Sequence, residues 1–301
     1  MKRYIILITL TLLCLQITAG IHPSSGEYGF KFLNIPTSPV STALASRGVH
    51  SDHNSLGWLL QPAAIGNSSR VKNFNFTQQF WLGESSYNSF AYVSANRKAH
   101  TALAVRNLNY GKIEARDESG QFIGYYEPVD MAVTANHSRR LGTGLYLGAN
   151  LSVAYEKLDT ASALALSSDL GISYLPAIKD SKLSFAVRNL GFSGKMENER
   201  ISMPLSFELD FSKGLEIKDQ YLNLEAALVK PMDDYILYSL GAELELIDMF
   251  VLRSGYRLNG DWQGITAGLG LNISNFEIDY GFARNGKGAG DVHNIGIGYH
   301  F

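Results

Sequence analysis

Cysteine, proline and long hydrophobic runs are all scarce in this chain, and each shortage excludes something. Cys14 is the single cysteine among 301 residues, and it falls in an N-terminal segment laid out like an export signal. Met1-Lys-Arg3 is a short basic start, Tyr4 to Leu15 is an apolar or hydroxyl run, and Ile17-Thr-Ala19 and Thr18-Ala-Gly20 offer small-residue cleavage points. Leu13 is bulky where a lipobox needs a small residue, so residues 1–19 are read as a signal peptide rather than a lipid anchor. The mature chain then has no disulfide or thiol chemistry. No later stretch holds 18 apolar residues in a row, which leaves no helical membrane span. Charge of one sign is missing too: 26 Lys and Arg stand against 28 Asp and Glu. That balance gives no basic field for nucleic acid and no acidic block for disorder.

What the chain does have is glycine and aromatics, with 29 Gly, 16 Tyr and 15 Phe against eight Pro. Such a composition suits many strands joined by tight turns. From Ser69 onward apolar and polar residues alternate without a gap wide enough for a helix. The spacing predicts fourteen strands, at 69–82, 85–96, 99–110, 127–138, 143–156, 162–175, 182–190, 203–212, 219–230, 234–246, 249–258, 263–273, 275–284 and 291–301. In the last of these Ile295, Ile297, Tyr299 and Phe301 share one parity, and Asn294, Gly296, Gly298 and His300 the other. An even number of strands about ten residues long, apolar on one face and small or polar on the other, is the signature of a transmembrane barrel. The fold class expected is therefore an all-β, 14-stranded antiparallel transmembrane barrel in the bacterial outer membrane, over residues 69–301. Both barrel ends are then periplasmic. Tyr299 and Phe301 resemble the terminal signal that barrel-assembly machinery reads, so that machinery and outer-membrane lipid are the expected partners.

The inward parity is charged. Arg106, Arg188, Glu208, Asp210, Glu225, Glu243, Glu245, Arg253, Arg257, Glu277 and Asp279 are expected to face the lumen as a cross-strand ion-pair network, with a selective path for a charged solute as the other reading. Trp81, Tyr110, Tyr155, Tyr174, Phe211, Tyr256 and Tyr299 are expected in girdles at headgroup level. The two longest loops, Gly111 to Glu127 and Gly191 to Met203, fall on the extracellular side. Residues 20–68 do not alternate. Their helical character at Ser41 to Val49 and Ser55 to Leu60 predicts a hatch inside or at the periplasmic mouth of the barrel, pairing with some of the inward charges.

Chemistry of other kinds is poorly represented. His50-Ser-Asp-His53 is the one histidine cluster, and two ligands fall short of the three or four a metal site uses. No serine is paired with His100 or His300 in a catalytic arrangement, and Asn285-Gly-Lys-Gly-Ala-Gly290 lacks the order of a phosphate loop and reads as an extracellular hairpin. Neither an enzyme nor a cofactor is expected.

Several segments carry a family likeness. They are Gly29-Phe-Lys-Phe-Leu-Asn-Ile-Pro36, Ser41-Thr-Ala-Leu-Ala-Ser-Arg-Gly-Val49, Gln61-Pro-Ala63, Asn107-Leu-Asn-Tyr-Gly-Lys112, Asp117-Glu-Ser-Gly120, Gly142 to Tyr155, Ala161-Ser-Ala-Leu-Ala-Leu-Ser-Ser-Asp-Leu-Gly171 and Ser184-Phe-Ala-Val-Arg-Asn-Leu-Gly191. The first two thirds of the chain thereby resemble the PorV/PorQ family of FadL-like barrels, the PorQ side more closely. The family reads Asn-Pro-Ala where this chain has Gln61, Pro62 and Ala63, the expected hatch contact. The resemblance implies one of two roles. The first is a component of type IX protein secretion or cell-surface assembly, with secretion-system or surface-attached proteins as partners. The alternative is FadL-like transport of hydrophobic or small amphiphilic molecules. The charged lumen tips the sequence reading toward secretion, because a greasy ligand needs an apolar pocket.

Overall fold

A computed structural model of the chain describes residues 22–64, 72–95, 99–247, 249–259, 263–284 and 290–301. The signal peptide with Cys14, the turn at 96–98 and most of the 285–290 tract lie outside these residues. The strands in chain order are β1 (Lys72–Phe80), β2 (Ser86–Ala95), β3 (Ala99–Asn109), β4 (Ile113–Arg116), β5 (Phe122–Tyr126), β6 (Val129–Gly142), β7 (Leu145–Leu158), β8 (Ala161–Tyr174), β9 (Ser181–Ser193), β10 (Lys195–Met196), β11 (Glu199–Arg200), β12 (Ser206–Ile217), β13 (Gln220–Pro231), β14 (Leu237–Ile247), β15 (Phe250–Leu258), β16 (Gly264–Ile273), β17 (Phe276–Arg284) and β18 (Asp291–His300). Fourteen of them close into one antiparallel barrel, and the seam is the pairing of β1 with β18 from Asn73↔His300 to Phe80↔His293. The other four form two small hairpins, β4–β5 and β10–β11, within the loops that follow β3 and β9.

The alternation sorts side chains by solvent. Phe74, Phe76, Leu151, Phe185, Leu209, Ile278 and Ile297 point outward and stay exposed, while their neighbours are buried inside. An apolar outer band around a polar interior is stable only with lipid outside, so this is an outer-membrane β-barrel. At the seam Phe301 packs edge-on against Phe74 and Tyr299, with ring centroids 5.3 and 5.2 Å apart. No helix among the described residues is long and apolar enough to cross a membrane.

Short turns at one end and longer loops at the other orient the barrel. The turns after β6, β12 and β16 are short, and the loops bearing the two hairpins lie at the opposite, extracellular end. Two boundaries differ from expectation. β12 starts at Ser206, after Pro204, and runs to Ile217, so the 213–218 connection left between the expected strands shrinks to a tight turn. β9 reaches Ser193 because a bulge restarts its alternation. Leu183, Phe185 and Val187 pair outward before the bulge, and Leu190 and Phe192 after it. Asn189 has φ +56° there, and its N–H donates to the Asp169 carboxylate at 2.7 Å.

Residues 22–64 lie inside the barrel and at its outer mouth. They contain 3₁₀ turns at Lys31–Asn34 and Gly57–Leu59 and one short helix, α1 (Pro39–Ala43). α1 starts where Pro39 follows Ser38, whose Oγ accepts the N–H groups of Val40 and Ser41 at 3.1 and 3.4 Å.

Candidate functional site: the lumen and an outer cavity

The hatch rests on two seats cut into the barrel wall. Adjacent strands place Gly241, Gly255, Gly268, Gly281 and Gly296 on the inner face, where α1 and the residues after it dock. A Cβ at Gly268 would collide with Ala43, one at Gly281 with the Pro39 carbonyl, and one at Gly255 would sit 2.8 Å from the Ala45 nitrogen. Across the lumen, a Cβ at Gly148 or Gly171 would collide with Pro62 or Gln61. Gln61, Pro62 and Ala63 thus contact β7 and β8, and the Pro62 carbonyl also accepts from Asn136 Nδ2 on β6 at 3.1 Å. Gln61 Oε1 turns back onto the Ala63 N–H at 3.2 Å. On the first seat, Thr266 Oγ1 donates to the Ala43 carbonyl at 2.6 Å and accepts the Ala45 N–H at 3.1 Å. Asn294 Nδ2 reaches the Thr37 carbonyl at 3.0 Å.

Beside these seats the inward charges meet the hatch. Arg47 Nη1 lies 2.6 Å from Glu208, and its Nε and Nη2 each lie 2.7 Å from Asp210, a bidentate contact. Burial works against the Arg47 charge, but the two carboxylates outweigh it and hold the guanidinium protonated. Arg188 joins the same knot, 3.2 Å from Glu208 and 2.9 Å from the Leu33 carbonyl. A second knot gathers Arg253 between Glu243 at 2.7 Å and Asp279 at 2.6 Å, with Ser51 Oγ 2.8 Å from Glu243. Lys182 Nζ holds the His50 carbonyl at 2.9 Å and Asp52 at 2.7 Å.

The remaining lumen residues are more scattered. Glu245 meets His53 at 3.1 Å, Glu277 meets His300 at 3.1 Å, and Glu225 accepts from Asn223 at 3.2 Å. Arg106 donates to Thr134 at 3.0 Å and Arg257 to Ser46 at 3.1 Å. The network is thus only partly cross-strand, since Arg47, Ser51 and His53 of the hatch complete it. Arg47 was absent from the residues singled out in the sequence, although it is the one charge in the small-residue run Ser41–Val49. His50 and His53 diverge, His50 toward Ser184 Oγ at 3.0 Å and His53 toward Glu245. Burial, with Lys182 and Arg47 nearby, pushes His50 down to about 3. Burial also lowers His53, but its bond to Glu245 and the charges of Glu243 and Glu277 carry it above its ordinary value.

Above the knots, toward the extracellular mouth, lies a cavity of about 360 Å³. Its apolar lining includes Phe32, Ile35, Leu60, Trp81, Leu108, Val229, Leu237 and Leu258, and Arg47, Arg188, Glu208 and Arg257 form polar parts of its wall. Trp81 and Tyr110 are corrections to the expected girdle. Both line this cavity, and the Tyr110 hydroxyl donates to Asp130 at 2.6 Å. Tyr174, Phe211, Tyr256 and Tyr299 do point outward.

Neither a protein-family model nor a curated protein matches this chain. Solved structures do. The toluene transporter TbuX of Ralstonia pickettii aligns over 89% of this chain and 99% of its own, with a TM-score of 0.64 and 14% identity. The Pseudomonas putida toluene transporter TodX aligns over 87% and 97%, with a TM-score of 0.62 and 11% identity. A FadL homologue from Pseudomonas aeruginosa covers 88% and 98%, with a TM-score of 0.56 and 11% identity. The chain has a FadL-like fold. At these identities the likeness is one of fold alone, that of the closed fourteen-stranded barrel.

Proposed function

We propose that this barrel admits small hydrophobic or amphiphilic molecules across the outer membrane. The observation that carries this reading is the cavity. It lies between the hatch and the extracellular mouth, and at about 360 Å³ it sits toward the small end of ligand pockets, which run from about 300 to 1,000 Å³. Its largely apolar wall suits a compact hydrophobic body, and its few polar groups suit a polar end. The lumen charges, which argued from sequence against a greasy ligand, are in part engaged in fixing the hatch and in part paired with one another across the wall. The structural neighbours TbuX and TodX are toluene transporters, which favours transport over the secretion role implied by the PorV/PorQ resemblance.

Mass spectrometry of gently solubilised outer membranes separates the two roles. Near-stoichiometric recovery of a small hydrophobic or amphiphilic compound with the barrel is the expected result. Recovery of large secreted proteins or periplasmic secretion components, with no small molecule bound, would replace transport by surface assembly.

A further inference from the structure

The extracellular hairpin β4–β5 continues the barrel wall as a ribbon. Pairing of β3 with β6 ends at Asn109↔Val129, the Tyr110 N–H donates to the Pro128 carbonyl at 3.4 Å, and pairing resumes at Ile113↔Tyr126. Gly111 and Lys112 thus stand opposite Glu127 alone, a bulge that Gly111 accommodates at φ +76°. Alternation carries across it. Leu108 is buried inside and Tyr110 lines the cavity, so Asn107 and Asn109 face outward. Beyond the bulge Ile113, Ala115, Gly124 and Tyr126 are half-buried on the inner side, while Glu114, Arg116, Phe122 and Tyr125 are exposed on the outer side. Phe122, Ile123 and Tyr125 are 52, 65 and 62% exposed, with the Phe122 and Tyr125 rings edge-on at 5.1 Å. A contiguous exposed cluster of this kind marks an interaction site.

The height of this face on the wall says what it meets. On β2 and β3 the outward apolar residues end at Phe90 and Val105, and the pairs above them are polar, Asn88 with Asn107 and Ser86 with Asn109. The acyl layer therefore stops below the hairpin. Tyr125, opposite Glu114, and Phe122, opposite Arg116, lie five and seven residues past Asn109, about 16–23 Å further along the strand. Outside the wall of an outer membrane, that height belongs to the saccharide of lipopolysaccharide. We propose that the outer face of β4–β5 docks against this saccharide through Phe122, Ile123 and Tyr125. Aromatic rings stack on the C–H faces of sugar rings, and the Tyr125 hydroxyl adds a polar tip. The charges suit the same occupant. Glu114 and Arg116 cancel on the face itself at 2.6 Å, Lys112 lies 3.9 Å from Glu127, and the Asp117 carboxylate accepts the N–H groups of Ser119 and Gln121 at 2.9 and 2.8 Å. A face neutral by pairing fits hydroxyl-rich sugars better than a strongly charged partner. Docking also steadies the ribbon that begins at Tyr110, a residue of the cavity wall, whatever the barrel carries.

Photo-crosslinking of the full chain in living cells with a lipopolysaccharide outer leaflet tests this. Tyr125→p-benzoylphenylalanine is expected to give a barrel adduct that an anti-lipopolysaccharide antibody detects. Tyr126→p-benzoylphenylalanine, on the inner side, is expected to give about five-fold less. An adduct with a protein instead would replace the saccharide by a surface partner, and no adduct at Tyr125 would leave the face in water. Either result overturns the proposal, as does equal lipopolysaccharide labelling from both positions. Once the signal segment is removed the chain carries no cysteine, so a polarity-sensitive dye on Ile123→Cys reports the same contact in proteoliposomes. Including lipopolysaccharide is expected to shift its emission to the blue and to cut acrylamide quenching about two-fold. A response already complete in phospholipid alone would put the face at the bilayer surface, and no response with either lipid would put it in solvent. Both contradict the proposal. Heat-modifiable gel mobility confirms that each variant is folded before it is read.

Discussion

Arg47 projects its guanidinium from the hatch onto Glu208 and Asp210 of one wall strand, and all three side chains are buried. Removing one member of such a set leaves charge stranded without water. Arg47→Met is expected to destabilise the folded barrel by about 3–5 kcal/mol, read as a lower temperature for loss of heat-modifiable gel mobility. Arg47→Met combined with Asp210→Asn should regain most of that, because Glu208 keeps Arg188 at 3.2 Å. The two hatch histidines give opposite pH signatures. His50 is depressed to about 3, so its contribution is complete above the ordinary histidine value of about 6.5 and is lost as pH falls from there toward 3. His53 is raised, so its contribution is complete below about 6.5 and is lost as pH climbs through its elevated value. Protease protection of the hatch, followed against pH, should therefore lose its acid-side decline in His50→Gln and its alkaline-side decline in His53→Gln.

At the scale of elements, alternation made the strands legible and the bulge hid part of one. All fourteen barrel strands were readable because lipid outside and a polar lumen inside impose a period of two on each. β9 appeared to stop at Leu190 because the extra residue at Arg188–Asn189 reverses its parity, and a reversed parity reads as an end. The inward glycines were legible as a surplus, but their purpose was not, since the Cβ positions they vacate are filled by residues 39–63, far away in sequence. Sequence separation hid Arg47 too, since its partners lie 161 and 163 residues away: a lone arginine among small residues signals a contact, not its partner. The seats make a sharp prediction. Gly268→Val with Gly281→Val places side chains where Ala43 and Pro39 lie, so α1 cannot dock. Planar-bilayer conductance and proteolysis of residues 22–64 should both rise in this variant while the gel mobility of the folded barrel persists. Unchanged conductance would mean that the seats do not hold the seal.

At the scale of the whole molecule, residues 22–36 cross the outer mouth, a small apolar cavity lies beneath them, and the inner hatch is tied to the wall by Arg47. The cavity was beyond the sequence because its wall comes from residues 31–36, the inner hatch and the ends of distant strands, among them Phe32, Leu60, Trp81, Val229 and Leu258. The measurement that tests the central claim most directly is uptake of radiolabelled toluene and decanoate by cells lacking other hydrocarbon channels, with and without this barrel. Uptake several-fold above the empty-vector level is expected for at least one probe, with its loss in Val229→Trp, which fills the cavity beside Glu208. Equal uptake with and without the protein, or uptake indifferent to Val229→Trp, would contradict it.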